Sequence, residues 1–284
     1  MKTGVIGLGA MGRGMAANLA RAGLLAGVWN RTADKAAAFA AEHGVAQAGT
    51  PAELARQSDA LVVCVSADAD VLEMVDALLP GAHAGQIVFD CSTVASETAV
   101  EAARRLASAG VAFADAPVSG GVEGARNATM VMMVGAAAET FERLRPVFAA
   151  ISKSATHMGP VGAGQATKAV NQVMVGGINE GVTEALAFGA RLGLPLERLI
   201  EVIGGGAAGN WFLSHRGPGM ARGEFPPGFK LALHLKDLRI CAQMAEAAGT
   251  ELPLVAATIG HYEQLVSAGH GDEDISALYR LKRP

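Results

Sequence analysis

The residues best placed to do chemistry lie in one segment, GPVGAGQATKAVNQVMVGGINE at positions 159–180 of this 284-residue chain. A glycine-rich turn leads into a long helical pattern. Lys168, Asn171, Gln172 and Asn179 share one face of it, at offsets of three, four and eleven from the lysine. Their neighbours Ala166, Ala169, Val170, Val173 and Val175 are small and apolar. A lysine in such surroundings can give a proton to an oxygen on which negative charge develops, and burial makes a lysine readier to release it. The plainer alternative is a lysine that reaches solvent from a hinge helix. Its polar companions and glycine-rich lead-in favour the chemical role, and Lys168 is the leading catalytic candidate. Asn171 and Gln172 can hold a hydroxyl or the lysine itself, and Gln172 serves almost equally well as a helix–helix hydrogen bond.

A second constellation opens the chain. An apolar strand over Lys2–Ile6 runs into Gly7-Leu8-Gly9-Ala10-Met11-Gly12, then a helix over Arg13–Ala22 and a second strand over Leu24–Trp29. Strand, GxGxxG turn, helix and strand within about 30 residues is the context in which the glycine motif means dinucleotide binding. Gly7 permits the tight turn, Gly9 admits the pyrophosphate, and Gly12 lets the helix pack on the sheet. The backbone around Ala10 and Met11 then offers N–H groups at a helix N-terminus. After the second strand, where an NAD site usually places an acid, the chain reads Asn30-Arg31-Thr32. An arginine with hydrogen-bonding neighbours suits a 2′-phosphate, so NADP(H) is expected over NAD(H), with NAD(H) still possible. The alternative is a solvated Arg31 that tolerates either cofactor.

These groups need a frame, and the chain supplies a strand–helix alternation. Strand-like runs at Ala60–Val65, Gln86–Cys91, Val111–Asp115, Thr129–Val134 and Ser154–Met158 alternate with helical stretches. The reading is a doubly wound, mostly parallel Rossmann-type domain over 1–162. Ligands sit beyond the carboxyl ends of such strands, so the loops at Ser66, Ser92-Thr93 and Ser119-Gly120-Gly121 would face the crevice. Ser119-Gly120-Gly121 offers a hydroxyl and two unshielded N–H groups to a carboxylate, or is a plain turn. Residues 163–284 read as an all-helical substrate and oligomerisation domain joined by the long helix. Within it Gly217-Pro218-Gly219 reads as a loop. Trp211 either closes a pocket or packs. Lys236 and Asp237 are adjacent on a helix and so point differently: one reaches a cleft, or both form a surface pair.

Composition excludes several classes. Hydrophobic residues make up 51% and charged residues 18%, so a large core is easily built. The net charge of −4 leaves no basic face for nucleic acid or a membrane surface. No apolar run approaches the roughly eighteen residues of a membrane span. The three cysteines, Cys64, Cys91 and Cys241, read as buried free thiols in a reducing compartment. Histidine and cysteine spacing suggests no metal site, and no GxSxG elbow occurs.

GLGAMGRGMAANL at 7–19, DCST at 90–93, DAPVSGG at 115–121, GAGQATKAVNQ at 162–172, Phe229 through KDL at 236–238, and EDISAL at 273–278 together resemble the β-hydroxyacid dehydrogenase family. That group contains 3-hydroxyisobutyrate dehydrogenase, tartronate semialdehyde reductase and the glyoxylate/succinic semialdehyde reductases. The resemblance covers essentially the whole chain. It implies that Lys168 is the acid/base and that Ser119, Gly120 and Gly121 bind a substrate carboxylate. It further implies that Lys236 approaches the cofactor, that Phe229 and Asp237 line the cleft, and that Thr93 contacts cofactor or substrate. It also implies a cytoplasmic homodimer or homotetramer that interconverts a small 3-hydroxy acid and its semialdehyde. Three features depart from, or divide, the family pattern. Asn171-Gln172 replaces the Asn-Asn of many hydroxyisobutyrate dehydrogenases, Asn127 stands where glycine is common, and Trp211 is similar to the tryptophan of hydroxyisobutyrate-type members. Rival readings are an imine reductase on the same scaffold, which usually lacks the lysine, and a non-catalytic dehydrogenase-like interaction scaffold.

Overall fold

The computed structural model describes residues 1–283. The chain forms two compact units, Met1–Lys168 and Ala169–Pro284. The first runs β1 (Thr3–Ile6), α1 (Gly12–Arg21), β2 (Leu25–Trp29), α2 (Ala33–His43), β3 (Ala46–Gln47), α3 (Pro51–Arg56), β4 (Ala60–Val63) and α4 (Asp68–Leu78). It continues through β5 (Ile87–Asp90), α5 (Ser96–Ala107), β6 (Ala112–Asp115), β7 (Val118–Ser119), α6 (Gly121–Asn127), β8 (Met130–Gly135), α7 (Ala138–Ile151) and β9 (Ser152–Gly159).

The sheet order is β3-β2-β1-β4-β5-β6-β8-β7, with β9 on β8. The first six strands are parallel; β8 runs antiparallel to β6 and β7 and parallel to β9. Two-residue periodicity splits the core between the two faces. Val62, Ile87 and Phe89 join Met15, Leu19, Leu144 and Phe148 on one side. Leu61, Val63 and Val88 join Leu54, Val75, Leu78 and Leu106 on the other. Helices thus cover both faces, and the carboxyl ends of β1, β4, β5 and β6 are left for loops.

The second unit is helical. α8 (Ala163–Arg191) is 29 residues long and contains the division between Lys168 and Ala169. After it come α9 (Leu196–Gly204), α10 (Trp211–Arg222), α11 (Leu231–Ala247), α12 (Pro253–Ser267), a 3₁₀ turn over Ile275–Leu278, and α13 (Tyr279–Lys282). Its core gathers Leu186, Phe212, Leu231, Leu238, Tyr262 and Leu278.

One expectation fails here. Gly217-Pro218-Gly219 is not a loop but lies inside α10. Asn210 caps the helix, its Oδ1 accepting from the Leu213 N–H at 2.9 Å. The helix buries Phe212, Leu213 and Met220. A Cβ at Gly217 would stand 3.1 Å from the Ile200 side chain, so this glycine serves close packing. Tertiary burial overrides local propensity.

None of the three cysteines forms a disulfide. Burial, with the Asp90 carboxylate adding to it, pushes the Cys64 thiol up to about 12. Among the described residues no helix is long and apolar enough to cross a membrane, and no cluster of His, Cys, Asp and Glu could hold a metal ion.

Candidate active site

The glycine turn between β1 and α1 is built by close approach. Gly7 has a φ of +97°. A Cβ on it would lie 2.2 Å from the Cys64 carbonyl oxygen, and one on Gly12 would lie 2.0 Å from the Gly7 carbonyl oxygen. A Cβ on Gly9, by contrast, meets nothing within 4 Å. No side chain caps α1: Met11 stands at its N-cap position without a side-chain hydrogen bond. The turn therefore presents bare backbone and an uncapped helix N-terminus to open space, the arrangement that receives a pyrophosphate.

Asn30, at the end of β2, braces this turn. Its Oδ1 accepts from the Leu8 N–H at 2.8 Å and its Nδ2 donates to the Thr32 carbonyl at 3.0 Å. Thr32 is the N-cap residue of α2. Arg31 is exposed and ion-paired with Asp70 at 2.8 Å and Glu73 at 3.0 Å. A cleft of about 390 Å³ is lined by Leu8, Arg13, Asp34, Lys35 and Ala38. Lys35 is a cation beside the turn that spacing did not single out.

Beyond the ends of β4, β5 and β6 the loops are tied to the first turn of α8. Asp115, at the end of β6 and fully buried, accepts from the Gly162 N–H through Oδ1 and the Gln165 N–H through Oδ2, both at 2.7 Å. Burial pushes the pKa of this carboxyl up; the N–H groups of Gly162, Gln165, Asp115 itself and Gly164 oppose that. A Cβ on Gly164 would lie 2.5 Å from the Met133 carbonyl oxygen, so only glycine lets α8 start this close to the sheet. Gln165 then donates to the Ser92 carbonyl at 2.9 Å and accepts from the Val94 N–H at 3.2 Å. This holds the loop that carries Thr93. Ser92 Oγ accepts from the Val65 N–H at 2.9 Å, which links in the loop of Ser66.

Lys168 follows three residues after Gln165 and is 7% exposed. Its Nζ donates to the Val118 carbonyl at 2.9 Å. Val118 and the half-buried Ser119 pair with Met132 and Val131 of β8. Gly120 (φ +134°) and Gly121 (φ +62°) then turn the chain into α6 through conformations that favour glycine. Lysine, hydroxyl and the two glycine N–H groups thus lie on neighbouring backbone.

In the second unit Asn171 Nδ2 donates to Gln172 Oε1 at 2.8 Å, and Gln172 Nε2 donates to Asp237 Oδ2 at 2.7 Å. Gln172 and Asp237 are buried, so this is the helix–helix hydrogen bond that the sequence left open. Lys236 Nζ sits 3.0 Å from Asp237 Oδ1. The two neighbours thus form the pair that the sequence left open, with Asp237 buried rather than at the surface. Asn179 donates to Tyr262 Oη at 2.7 Å and to the Ile275 carbonyl at 2.8 Å, a core brace rather than a reacting group. Phe229 is half-buried against His234, with ring centroids 5.3 Å apart. Trp211 is 59% exposed and stacks on His215 at 4.3 Å.

This arrangement has known counterparts. Residues 2–159 match the family model for the NAD binding domain of 6-phosphogluconate dehydrogenase. Residues 162–282 match that for the NAD-binding of NADP-dependent 3-hydroxyisobutyrate dehydrogenase. The 2-hydroxy-3-oxopropionate reductase of Escherichia coli is 35% identical over 98% of this chain and 96% of its own length. The chain belongs to the β-hydroxyacid dehydrogenase family. It is an NAD(P)-binding oxidoreductase. A 3-hydroxyisobutyrate dehydrogenase of Pseudomonas aeruginosa is 34% identical over 98% of this chain and 97% of its own. The Mycobacterium tuberculosis 3-hydroxyisobutyrate dehydrogenase, solved with L-serine, superposes with a TM-score of 0.90 at 32% identity, covering 100% of this chain and 99% of its own. An imine reductase from Myxococcus stipitatus shares the fold, at 21% identity and a TM-score of 0.66.

The crowding at Gly12 gives an expected result for this β-hydroxyacid dehydrogenase. Gly12→Ala forces α1 away from the turn and destabilises the protein by about 1–3 kcal/mol. It also weakens NAD(P)(H) binding by roughly tenfold or more, because the helix N-terminus leaves its place. Thermal unfolding and a cofactor titration read the two effects. Wild-type values in both would mean that the contact with the Gly7 carbonyl is not a constraint.

Proposed function

We propose that this enzyme interconverts a small 3-hydroxy acid and its semialdehyde, with Lys168 as acid/base. The observation that carries the reading is the Lys168 Nζ contact with the Val118 carbonyl at 2.9 Å, next to the Ser119-Gly120-Gly121 turn. Those three residues hold the substrate carboxylate through a hydroxyl and two N–H groups. A bound NAD(P)H would supply the hydride to the carbonyl carbon, and Lys168 gives the oxygen its proton. In the oxidative direction Lys168 takes the proton back. Asn171, three residues further along α8, holds the substrate hydroxyl. Gln172 and Asp237 fix its amide. Thr93 and Ser66 edge the cofactor side, and Phe229, Trp211 and Lys236 enter through the family motif.

The cofactor reading is NADP(H) preferred, with NAD(H) accepted, and it rests on Arg31 with Thr32. The homo-oligomer reading, dimer or tetramer, is supported by large apolar residues exposed along α8, including Val170, Met174 and Phe188. The cytoplasm is the compartment that the free thiols suit.

A coenzyme-oxidation assay tests the function. NADPH and NADH are crossed with glyoxylate, succinic semialdehyde, tartronate semialdehyde and methylmalonate semialdehyde. Turnover of at least one aldehyde acid, faster with NADPH, is expected. Silence with every aldehyde while the cofactor still binds would remove the semialdehyde assignment.

A further inference from the structure

Arg31 is the residue on which the cofactor preference turns, yet it is already engaged. Its Nη2 donates to Asp70 Oδ1 at 2.8 Å and to Glu73 Oε2 at 3.0 Å. The two acids sit three residues apart on the first turns of α4, so both point to one side of that helix. The trio carries a net charge of −1. Both bonds use Nη2, so a 2′-phosphate that takes the Nε and Nη1 donors of Arg31 comes to lie beside two carboxylates.

From these contacts we infer that Asp70 and Glu73 are specificity-determining residues that set the NADP(H)-to-NAD(H) ratio by competing with the 2′-phosphate for Arg31. The inference rests on the reading of Arg31 as the phosphate partner. NAD sites usually carry their acid at the end of the second strand. Here Asn30 occupies that end and braces the glycine turn through the Leu8 N–H. Negative charge arrives instead from α4, through the arginine. The Arg31 side chain is 64% exposed and that of Glu73 60%. An ion pair so open to water is weak, so the Glu73 pair yields to a phosphate dianion, while the Asp70 side chain, 23% exposed, keeps its charge closer to Arg31. What persists is like-charge repulsion, which water and salt reduce but do not abolish at these separations. Holding Arg31 in place in advance would have the opposite effect, and the experiment separates the two.

The test measures equilibrium binding by calorimetry, with no turnover required. The ligands are adenosine 2′,5′-bisphosphate and adenosine 5′-monophosphate; the proteins are wild type, Asp70→Asn/Glu73→Gln and Arg31→Ala. The double variant is expected to bind the bisphosphate ~tenfold more tightly at low ionic strength, with the monophosphate changed less than about twofold and the gain shrinking at about 0.5 M salt. Arg31→Ala is expected to weaken the bisphosphate alone. Unchanged or weaker bisphosphate binding by the double variant, with Arg31→Ala still weakened, overturns the competition and leaves Arg31 as phosphate partner. If Arg31→Ala binds the bisphosphate as wild type does, the NADP(H) reading falls and the inference with it. Asp70→Asn alone, which keeps the Glu73 pair, carries the same comparison should the double variant fold poorly.

Discussion

Replacing Lys168 by alanine lowers kcat by roughly 10²–10⁴-fold, the range in which a positioned proton donor contributes. Cofactor affinity stays within about threefold, because the glycine turn and α1 hold the dinucleotide without help from this side chain. Lys168→Met separates chemistry from packing: it keeps most of the buried volume, cannot transfer a proton, and falls to the same level. Steady-state kinetics with a cofactor titration and a melting curve for each variant read all three quantities. A Lys168→Ala enzyme with near wild-type turnover would remove the lysine from the reaction and make its hydrogen bond to the Val118 carbonyl a structural one.

The second large effect is at Asp115, which touches no reacting group. Its two oxygens accept from Gly162 and Gln165, each at 2.7 Å, and so fix where α8 begins. Asp115→Asn puts an amide N–H against one of those donors. One buried backbone N–H then loses its acceptor, at a cost of about 2–4 kcal/mol of stability. Gln165 shifts with the turn, and with it the Thr93 loop and the register of Lys168. A fall in kcat of about tenfold or more follows, with little change in cofactor affinity, since misplacement of a catalytic group by a fraction of an ångström is felt mainly in the chemical step. Thermal unfolding and a kcat-against-Kd comparison check this. A variant that loses cofactor binding but keeps kcat would place Asp115 in the nucleotide site instead.

Much of this could be read from the residues alone where the signal is local. GLGAMG after an apolar strand specifies the nucleotide turn because close backbone approaches demand glycine at 7 and 12, and Gly9 leaves the backbone between them open. The strand–helix alternation gives the parallel sheet because continuous apolar runs such as Ala60–Val63 must bury both faces. The segment after Gly162 reads as one long helix because nothing breaks it before Gly193. What escaped depends on partners far away in sequence. Asp115 meets its partners 47 and 50 residues on, and the spacing of its own strand says nothing of them. Arg31 meets Asp70 and Glu73 at separations of 39 and 42. Read alone it offers a free cation; folded, it is an arginine with two acids. The α10 helix was hidden by Gly217-Pro218-Gly219, residues that usually mark a turn; here Gly217 packs against Ile200 and Gly219 against the Glu224 carbonyl. For Lys236 and Asp237 the sequence left two readings open: helical geometry separates their Cβ atoms, and side-chain length brings their charges together.

The central claim is hydride delivery to a carbonyl carbon, with Lys168 supplying the proton. NADPH carrying deuterium at both hydrogen positions of nicotinamide C4, incubated with the enzyme and the aldehyde acid it prefers, tests it most directly, with the product examined by NMR. The account requires one deuterium on the carbon that was the aldehyde, formed by the wild type and slowed by the Lys168→Ala loss in kcat. Product without deuterium at that carbon, or equal labelling rates in both proteins, would contradict it.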